Sequence, residues 1–375
     1  MPAFGRFLRG EVAGFCPTFG LRSPCRYPSK SRMKALTLVD SNEFEFGEVP
    51  DPEIGRGDVL VEVKACGICG SDVHGMDGST GRRRPPIVMG HEASGVIAEV
   101  GEGVESWKPG DRVTFDSTTY CGACHYCRQG LVNLCDERQV IGVSCEDYRR
   151  HGAFAEKVSI PHLGVCSIPD EVSFEQAALA EPVSIALHGV NRLPIKGGET
   201  GVVVGTGMIG LFVVQALKAA GCSQVFAVDL AEDKLALAKE LGADETFVPG
   251  KDDVVSLVHE ATEGRGADVS VEAVGVTDTV RLAVEVLRLG GSTCLVGNLS
   301  PDVTFPLQWV VTRELSVYGS CASAGEYGEA LRAVADGRIK VDPIISAVAD
   351  LKDGASWFQR LHDNKDGLLK VILRP

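Results

Sequence analysis

Cys121, Cys124, Cys127 and Cys135 sit in "CGACHYCRQGLVNLC" with two, two and seven residues between them. Four thiolates at such spacing close a tetrahedral shell around zinc, and a closed shell leaves no position for substrate or water. This set is expected to hold a structural zinc that pins a loop with little core of its own. His125 falls inside the loop and is not needed as a ligand. A second set differs in chemistry. Cys69 in "CGICGSDVH" and the adjacent His91 and Glu92 in "GHEASG" bring a thiolate, an imidazole and a carboxylate, and Glu181 in "LAEPVSIALH" is a further acid. Mixed ligands with room for an exchangeable position mark the catalytic type of zinc site. Adjacent His and Glu cannot both face one ion from a regular strand, so a bend is needed, and Gly90 supplies the freedom for it.

A third constellation is Gly205-Thr206-Gly207-Met208-Ile209-Gly210, a G-x-G-x-x-G that follows the β-branched run "TGVVV". Asp229 stands nineteen residues after Gly210. Strand, glycine turn, helix and a later acid together are the context this motif requires. Gly205 permits the turn, Gly207 lets backbone approach a pyrophosphate, and Gly210 lets the helix pack close to the strand. The free N–H groups of the helix start attract the phosphates. Asp229 is placed for the adenosine ribose hydroxyls and would repel a 2′-phosphate, which favours NAD over NADP. Lys234 lies about a turn further on and is positioned to flank the ribose.

These residues need elements to hold them. From 33 to about 183 the chain reads as short strands broken by Gly and Pro, among them "DVLVEVKACGI", "EASGVIAEVG" and "KPGDRVTF". From about 184 the rhythm alternates: "TGVVV", "QVFAVDL", "ETFV", "DVSVEAVG", "GSTCLVG" and "LSVYGS" as strands, with "LFVVQALKAAG", "AEDKLALAKELGA" and "VRLAVEVLRLGG" as helices. That alternation predicts a parallel sheet covered on both faces. The last fifty or so residues are mixed and end in a strand, "GLLKVILRP". Residues 1–32 hold six basic residues and one acid, with no secretory apolar core. They are excluded from the fold and expected to be disordered, either a targeting segment or an extension ahead of a start at Met33.

Composition narrows the function. The net charge of −14 argues against a nucleic-acid partner, as does a cysteine spacing unlike that of ribbons or fingers. No run of about 18 apolar residues offers a membrane span. Thirteen cysteines in a chain of 375 residues fit metal-bound thiolates in a reducing cytoplasm better than a disulfide framework. Arg82, Arg83 and Arg84 read as a solvated loop; Cys145, Cys166, Cys222, Cys294 and Cys321 as small buried fillers; His188 as structural.

Taken together and in order, "CGSDVH", "GHEASGVIAEVG", the four-cysteine loop, "EPVSIALHG" and "VVVGTGMIG" resemble the zinc-containing medium-chain alcohol dehydrogenases, over nearly all of Met33–Pro375. Glu at 181 looks like the polyol (sorbitol-type) branch. The resemblance implies an α/β plus β fold: a GroES-like β-rich catalytic domain (33–183 and 323–375) interrupted by a Rossmann doubly wound domain (184–322), with the active site in the cleft between them. It implies that Cys69, His91 and Glu92 bind the catalytic zinc, with Glu181 joining directly or through water. Ser71 and His74 match the hydroxyl and imidazole of a proton relay. Val274 and Gly297 end strands beside the cofactor. A secondary alcohol would be oxidised by NAD, with zinc as Lewis acid, in a homodimer or homotetramer.

The substrate is left open by the same comparison. Sorbitol-type enzymes carry a Tyr after the relay histidine and an Arg-Tyr pair after the last Rossmann strand; here stand Gly75 and "YGSCASAG". A polyol phosphate drawn by Arg82–Arg84, threonine, or a simple alcohol are the alternatives. A catalytically silent NAD-binding protein is the rival of another class, and the full ligand set argues against it.

Overall fold

The computed structural model describes residues 31–364 and 366–375. The expectation of disorder for residues 1–32 falls largely outside them, although Arg32 already belongs to the first strand. Among the described residues no helix is long and apolar enough to cross a membrane.

The first half is β-rich. Strands β1 (Arg32–Asp40), β2 (Glu43–Pro50) and β3 (Asp58–Gly67) lead into a short helix, α1 (Gly70–Gly75). There follow β4 (Ile87–Val88), β5 (Glu92–Val100), β6 (Arg112–Phe115), β7 (Thr118–Thr119), β8 (Gln139–Val140), β9 (Val143–Ser144), β10 (Arg149–Arg150), β11 (Lys157–Pro161) and β12 (Val165–Ser167). Helix α2 (Phe174–Ala178) begins in a capping box, with Gln176 N donating to Ser173 Oγ at 3.2 Å and Ser173 N donating to Gln176 Oε1 at 3.0 Å. Helix α3 (Ala180–Asn191) then runs across the 183/184 junction toward the second sheet.

The second sheet is wholly parallel. Its elements are β13 (Thr200–Val204), α4 (Met208–Ala219), β14 (Gln224–Val228), α5 (Glu232–Glu240), β15 (Glu245–Phe247), α6 (Val254–Ala261), β16 (Ala267–Glu272), α7 (Thr277–Glu285), β17 (Leu287–Leu295), α8 (Leu307–Thr312) and β18 (Ser316–Gly319). The strand order is β15-β14-β13-β16-β17-β18, so the order reverses between β13 and β16. Such a reversal opens a crevice at the carboxyl ends of the strands where dinucleotides bind. Every residue of β13 is buried, as expected of a central strand covered on both faces. One boundary departs from the sequence reading. The helix expected over "VRLAVEVLRLGG" stops at Glu285, and Leu287 opens β17. Apolar residues at 284, 286 and 287 suit a helix face and a buried strand equally well, and period alone cannot separate the two.

After β18 come α9 (Tyr327–Ala335), β19 (Ile345–Asp350), α10 (Gly354–Asp363) and β20 (Lys370–Arg374). The chain returns here to the first sheet, whose order is β12-β6-β5-β3-β20-β19, with β11 also on β3. β20 pairs antiparallel with β3 at Ile372–Gly67 and Leu373–Cys66. Its buried Val371 and Leu373 join the core formed by β1, β3 and β5 around Phe115, Phe154 and Phe358.

Candidate functional site: two thiolate-bearing clusters and a glycine turn

Cys69, His91 and Glu92 come from two stretches of chain. Cys69 caps the start of α1, and its Sγ accepts from Ser71 N at 3.5 Å. His91 precedes β5 and Glu92 opens it. Gly90 makes the bend with φ +96°, and a Cβ there would press on Phe154 N at 2.8 Å and Cys66 Sγ at 2.9 Å. The bend brings one ligand atom from each of Cys69, His91 and Glu92 within 4.8 Å of the others. Glu181, in the first turn of α3, stands outside that triplet but within electrostatic reach of it. Burial, with repulsion from Glu92 and Asp116, pushes its carboxyl up to about 8 against the pull of His91.

Partners that the sequence reading did not name hold this triplet. Lys370, fully buried on β20, meets Glu92 Oε2 at 2.5 Å and donates to the Ile68 carbonyl at 2.7 Å. Glu92 Oε1 is buried and has no hydrogen-bond partner among the described residues. Asp72, fully buried on α1, lies with Oδ2 3.4 Å from His91 Nδ1. Burial alone would raise the Asp72 carboxyl, but His91 and Arg83 hold it well below the usual carboxylate range. Arg83 is itself buried at 4% exposure, with Nε 2.8 Å and Nη2 2.7 Å from Asp72 Oδ1. The solvated reading of that basic run therefore applies to Arg82 and Arg84, which are exposed, and not to Arg83. An acid three residues after a ligand was the available signal for Asp72; for Lys370 it was a lone lysine in the apolar run "LLKVIL".

Ser71 and His74 occupy the exposed face of α1 at i, i+3 spacing, so they are neighbours on that face. Ser71 Oγ lies 3.3 Å from Cys69 Sγ.

The four other cysteines also converge, their sulfurs within 4.8 Å of one another. Backbone N–H groups point at them: Cys121 N to Cys135 Sγ at 3.3 Å, Cys124 N to Cys121 Sγ at 3.3 Å, and Glu137 N to Cys135 Sγ at 3.4 Å. His125 is exposed. The loop is tied to the rest by Asn133, which donates to the Cys321 carbonyl at 2.8 Å and approaches His188 Nε2 at 3.4 Å. His188 Nδ1 in turn meets Glu326 Oε1 at 2.7 Å. His188 is thus structural, in a network that no local pattern announces. Among the remaining cysteines Cys222 and Cys294 are buried as expected, but Cys145 and Cys166 are half-buried and Cys321 is exposed, because the segment after β18 runs along the surface.

At the glycine turn Gly205 has φ +94°, and a Cβ at Gly210 would collide with the Gly205 carbonyl oxygen. Among the described residues nothing lies within 4 Å of the Cβ that Gly207 lacks, and no side chain caps α4. The N–H groups of Met208, Ile209 and Gly210 are therefore left for a ligand. Thr206 Oγ1 is buried without a hydrogen-bond partner among the described residues. Asp229 follows β14; its Oδ2 accepts from Thr206 N at 2.7 Å and its Oδ1 from Ala231 N at 3.0 Å. Lys234 lies in the first turn of α5. Val274 packs against Gly205, and Gly297 against Gly275, at the carboxyl ends of β16 and β17. Helix α3, which carries Glu181, packs its Gly189 beside Val296, so the metal cluster and this strand end share a wall.

The donor sets fit zinc at both clusters, and the open, uncapped turn fits a dinucleotide pyrophosphate. Comparison with known proteins agrees. The alcohol dehydrogenase GroES-like domain matches residues 55–170, and the zinc-binding dehydrogenase domain matches 209–336. Sorbitol dehydrogenase of Bacillus subtilis is 31% identical over 347 residues, 92% of this chain and 97% of that protein. Galactitol-1-phosphate dehydrogenase of Escherichia coli has 30% identity and a TM-score of 0.85, over 92% of this chain and all of the other. A Sinorhizobium meliloti protein of the zinc-binding dehydrogenase type, solved with NADP, has 34% identity and a TM-score of 0.84, over 92% of this chain and all of the other. The chain belongs to the zinc-containing medium-chain dehydrogenases of the polyol type.

Proposed function

We propose that the chain oxidises a secondary hydroxyl of a polyol with NAD, reversibly. The observation that carries this is the triplet of Cys69, His91 and Glu92, three different donors at one end of a helix whose exposed face bears Ser71 and His74. Cys69, His91 and Glu92 would hold a catalytic zinc, with Glu181 at or near its shell, and Cys121, Cys124, Cys127 and Cys135 a structural one. The catalytic ion supplies a Lewis acid that makes a hydroxyl easier to deprotonate, and NAD supplies the hydride acceptor. The chain's own part is to bind and orient. Met208, Ile209 and Gly210 present N–H groups to the pyrophosphate, Asp229 and Lys234 the ribose contacts, Val274 the wall on the adenosine side, and Gly297 the floor beside the nicotinamide half. Ser71 takes the proton that leaves the substrate hydroxyl and passes one to His74 and on to solvent. The catalytic domain would comprise 33–183 with 323–375, and the nucleotide domain 184–322.

NAD is favoured over NADP because the Asp229 carboxylate would meet a 2′-phosphate with like charge. A phosphorylated polyol is the second reading; Arg82 and Arg84 remain exposed for it, whereas Arg83 is engaged by Asp72. Two sets of reduced thiolates suit the cytoplasm. A homodimer or homotetramer is favoured by β18, the last strand of its sheet, and by exposed Val317, Leu307 and Val311 beside it. The decisive experiment is a panel of polyols, polyol phosphates, threonine and simple alcohols with NAD or NADP, read as NADH or NADPH absorbance, with zinc counted per chain. Turnover of polyols with two zinc ions per chain is expected; a zinc-replete protein inert to every alcohol would overturn the proposal.

A further inference from the structure

The proton path proposed above depends on how one hydroxyl is oriented, and a buried guanidinium touches that hydroxyl. Arg83 Nη2 donates to Ser71 Oγ at 3.3 Å. The same guanidinium forks onto Asp72 Oδ1, and its Nη1 donates to the Arg82 carbonyl at 3.0 Å. Four donor contacts from a side chain only 4% exposed fix the plane of the group. A serine oxygen has two lone pairs and one proton. With one lone pair occupied by Arg83, what remains is one acceptor site and one O–H, the latter directed at Cys69 Sγ 3.3 Å away. That is the minimum a through-relay uses, one place to take a proton and one proton to give. The packing around Arg83 is equally specific. A Cβ on Gly75 would stand 2.8 Å from Arg83 Cγ and 3.1 Å from Thr80 Oγ1. Glycine at 75 and arginine at 83 are therefore one choice: a side chain at 75 would push the arginine stem out of its slot.

We propose that Arg83 is a positioning residue for proton transfer, holding Ser71 through Nη2 and, through Asp72, the His91 ring. This rests on the reading of Ser71 as the relay hydroxyl. Lysine at 83 keeps a cation for Asp72 but has no fork with which to reach Ser71 as well. Arg83→Lys is thus expected to keep its Tm, its zinc content and its Kd for NADH while kcat for alcohol oxidation falls about tenfold or more, a share of the roughly 10²–10⁴-fold that acid–base positioning contributes. Gly75→Ala, which displaces Arg83 without removing its charge, is expected to lower kcat in the same sense. Arg83→Met is expected to release the catalytic zinc to a chelator faster than wild type, measured with a metal-sensitive dye and no substrate. In the double variant Arg83→Lys/Ser71→Ala the loss should match that of Ser71→Ala alone within about twofold, because both changes remove one function. If Ser71→Ala turns over at the wild-type rate, the relay reading itself falls. If Ser71→Ala is slow but Arg83→Lys and Gly75→Ala are both as fast as wild type, or the Arg83 and Ser71 losses multiply, the positioning role of Arg83 falls and the relay stands.

Discussion

Gly207→Ala separates what the glycine turn does for binding from what it does for folding. Gly207 has φ −62° and ψ −177°, a conformation open to any residue, and nothing lies within 4 Å of where its Cβ would stand. Alanine removes conformational freedom from the unfolded chain, which raises stability by about 0.4–1 kcal/mol where the native backbone accepts it. The same methyl occupies the approach to the free N–H groups at the start of α4. Losing one charge-assisted hydrogen bond to a phosphate costs about 1.5–3 kcal/mol, and at about 1.4 kcal/mol per factor of ten this is roughly 10- to 150-fold in Kd. Stability and affinity are therefore expected to move in opposite directions: Tm equal to or slightly above wild type, and NADH binding, followed by fluorescence titration, weaker by that factor. Gly210→Ala is the contrasting variant. Its Cβ collides with a backbone carbonyl oxygen, so folding itself suffers, by about 1–3 kcal/mol or more of overpacking. A Gly207→Ala protein that binds NADH as tightly as wild type would refute the placement of the pyrophosphate, and one that unfolds as readily as Gly210→Ala would refute the separation of roles.

In the zinc-stripped protein Lys370→Met should destabilise by about 3–5 kcal/mol, the usual result of leaving one buried charge without its partner, here Glu92; denaturant midpoints measure it, and a loss below about 1 kcal/mol would mean that Glu92 finds another partner. Cys135→Ala, at the buried corner of the four-sulfur cluster, should lower zinc from two ions per chain to one and drop Tm sharply, since structural zinc carries folding free energy; unchanged zinc by metal analysis would exclude Cys135 as a ligand. Asp229→Asn should raise the NADP-to-NAD ratio of kcat/KM by at least about fivefold through loss of like-charge repulsion; a constant ratio would move cofactor choice elsewhere. Val317→Asp on the free edge of β18 should shift the sedimentation coefficient toward a smaller species, and an unchanged coefficient would place the subunit contact on another surface.

What could be read from sequence was what is local. The four-cysteine spacing, the glycine turn with Asp229 after the next strand, and the bend at Gly90 each lie within a few to thirty residues, and each has a geometric requirement that only certain residues meet. The alternation of strand and helix after residue 184 was visible for the same reason. What escaped is long-range. Glu92 and Lys370 are 278 positions apart, and Asn133 reaches Cys321 across 188; no period or spacing encodes such pairs. Arg83 was misread because three consecutive arginines look alike in sequence, and only the fold decides which of them turns inward to meet Asp72. The end of α7 was misplaced because Val284, Val286 and Leu287 are apolar whichever element they join.

The return of β20 to β3 bears on how the molecule is made. A ribosome delivers Cys69, His91 and Glu92 early, yet the lysine that pairs with Glu92 and the strand that covers the Cys66–Gly67 end of β3 arrive only after the entire parallel sheet has been synthesised. Until then the nascent first half carries an uncovered strand end and a Glu92 without its lysine, a state prone to misassociation. Excising residues 33–183 as a minimal metal-binding fragment should therefore yield insoluble material, whereas a rearranged gene that places the β20 segment directly ahead of β1 would supply Lys370 and the missing pairing of β3 as the sheet emerges.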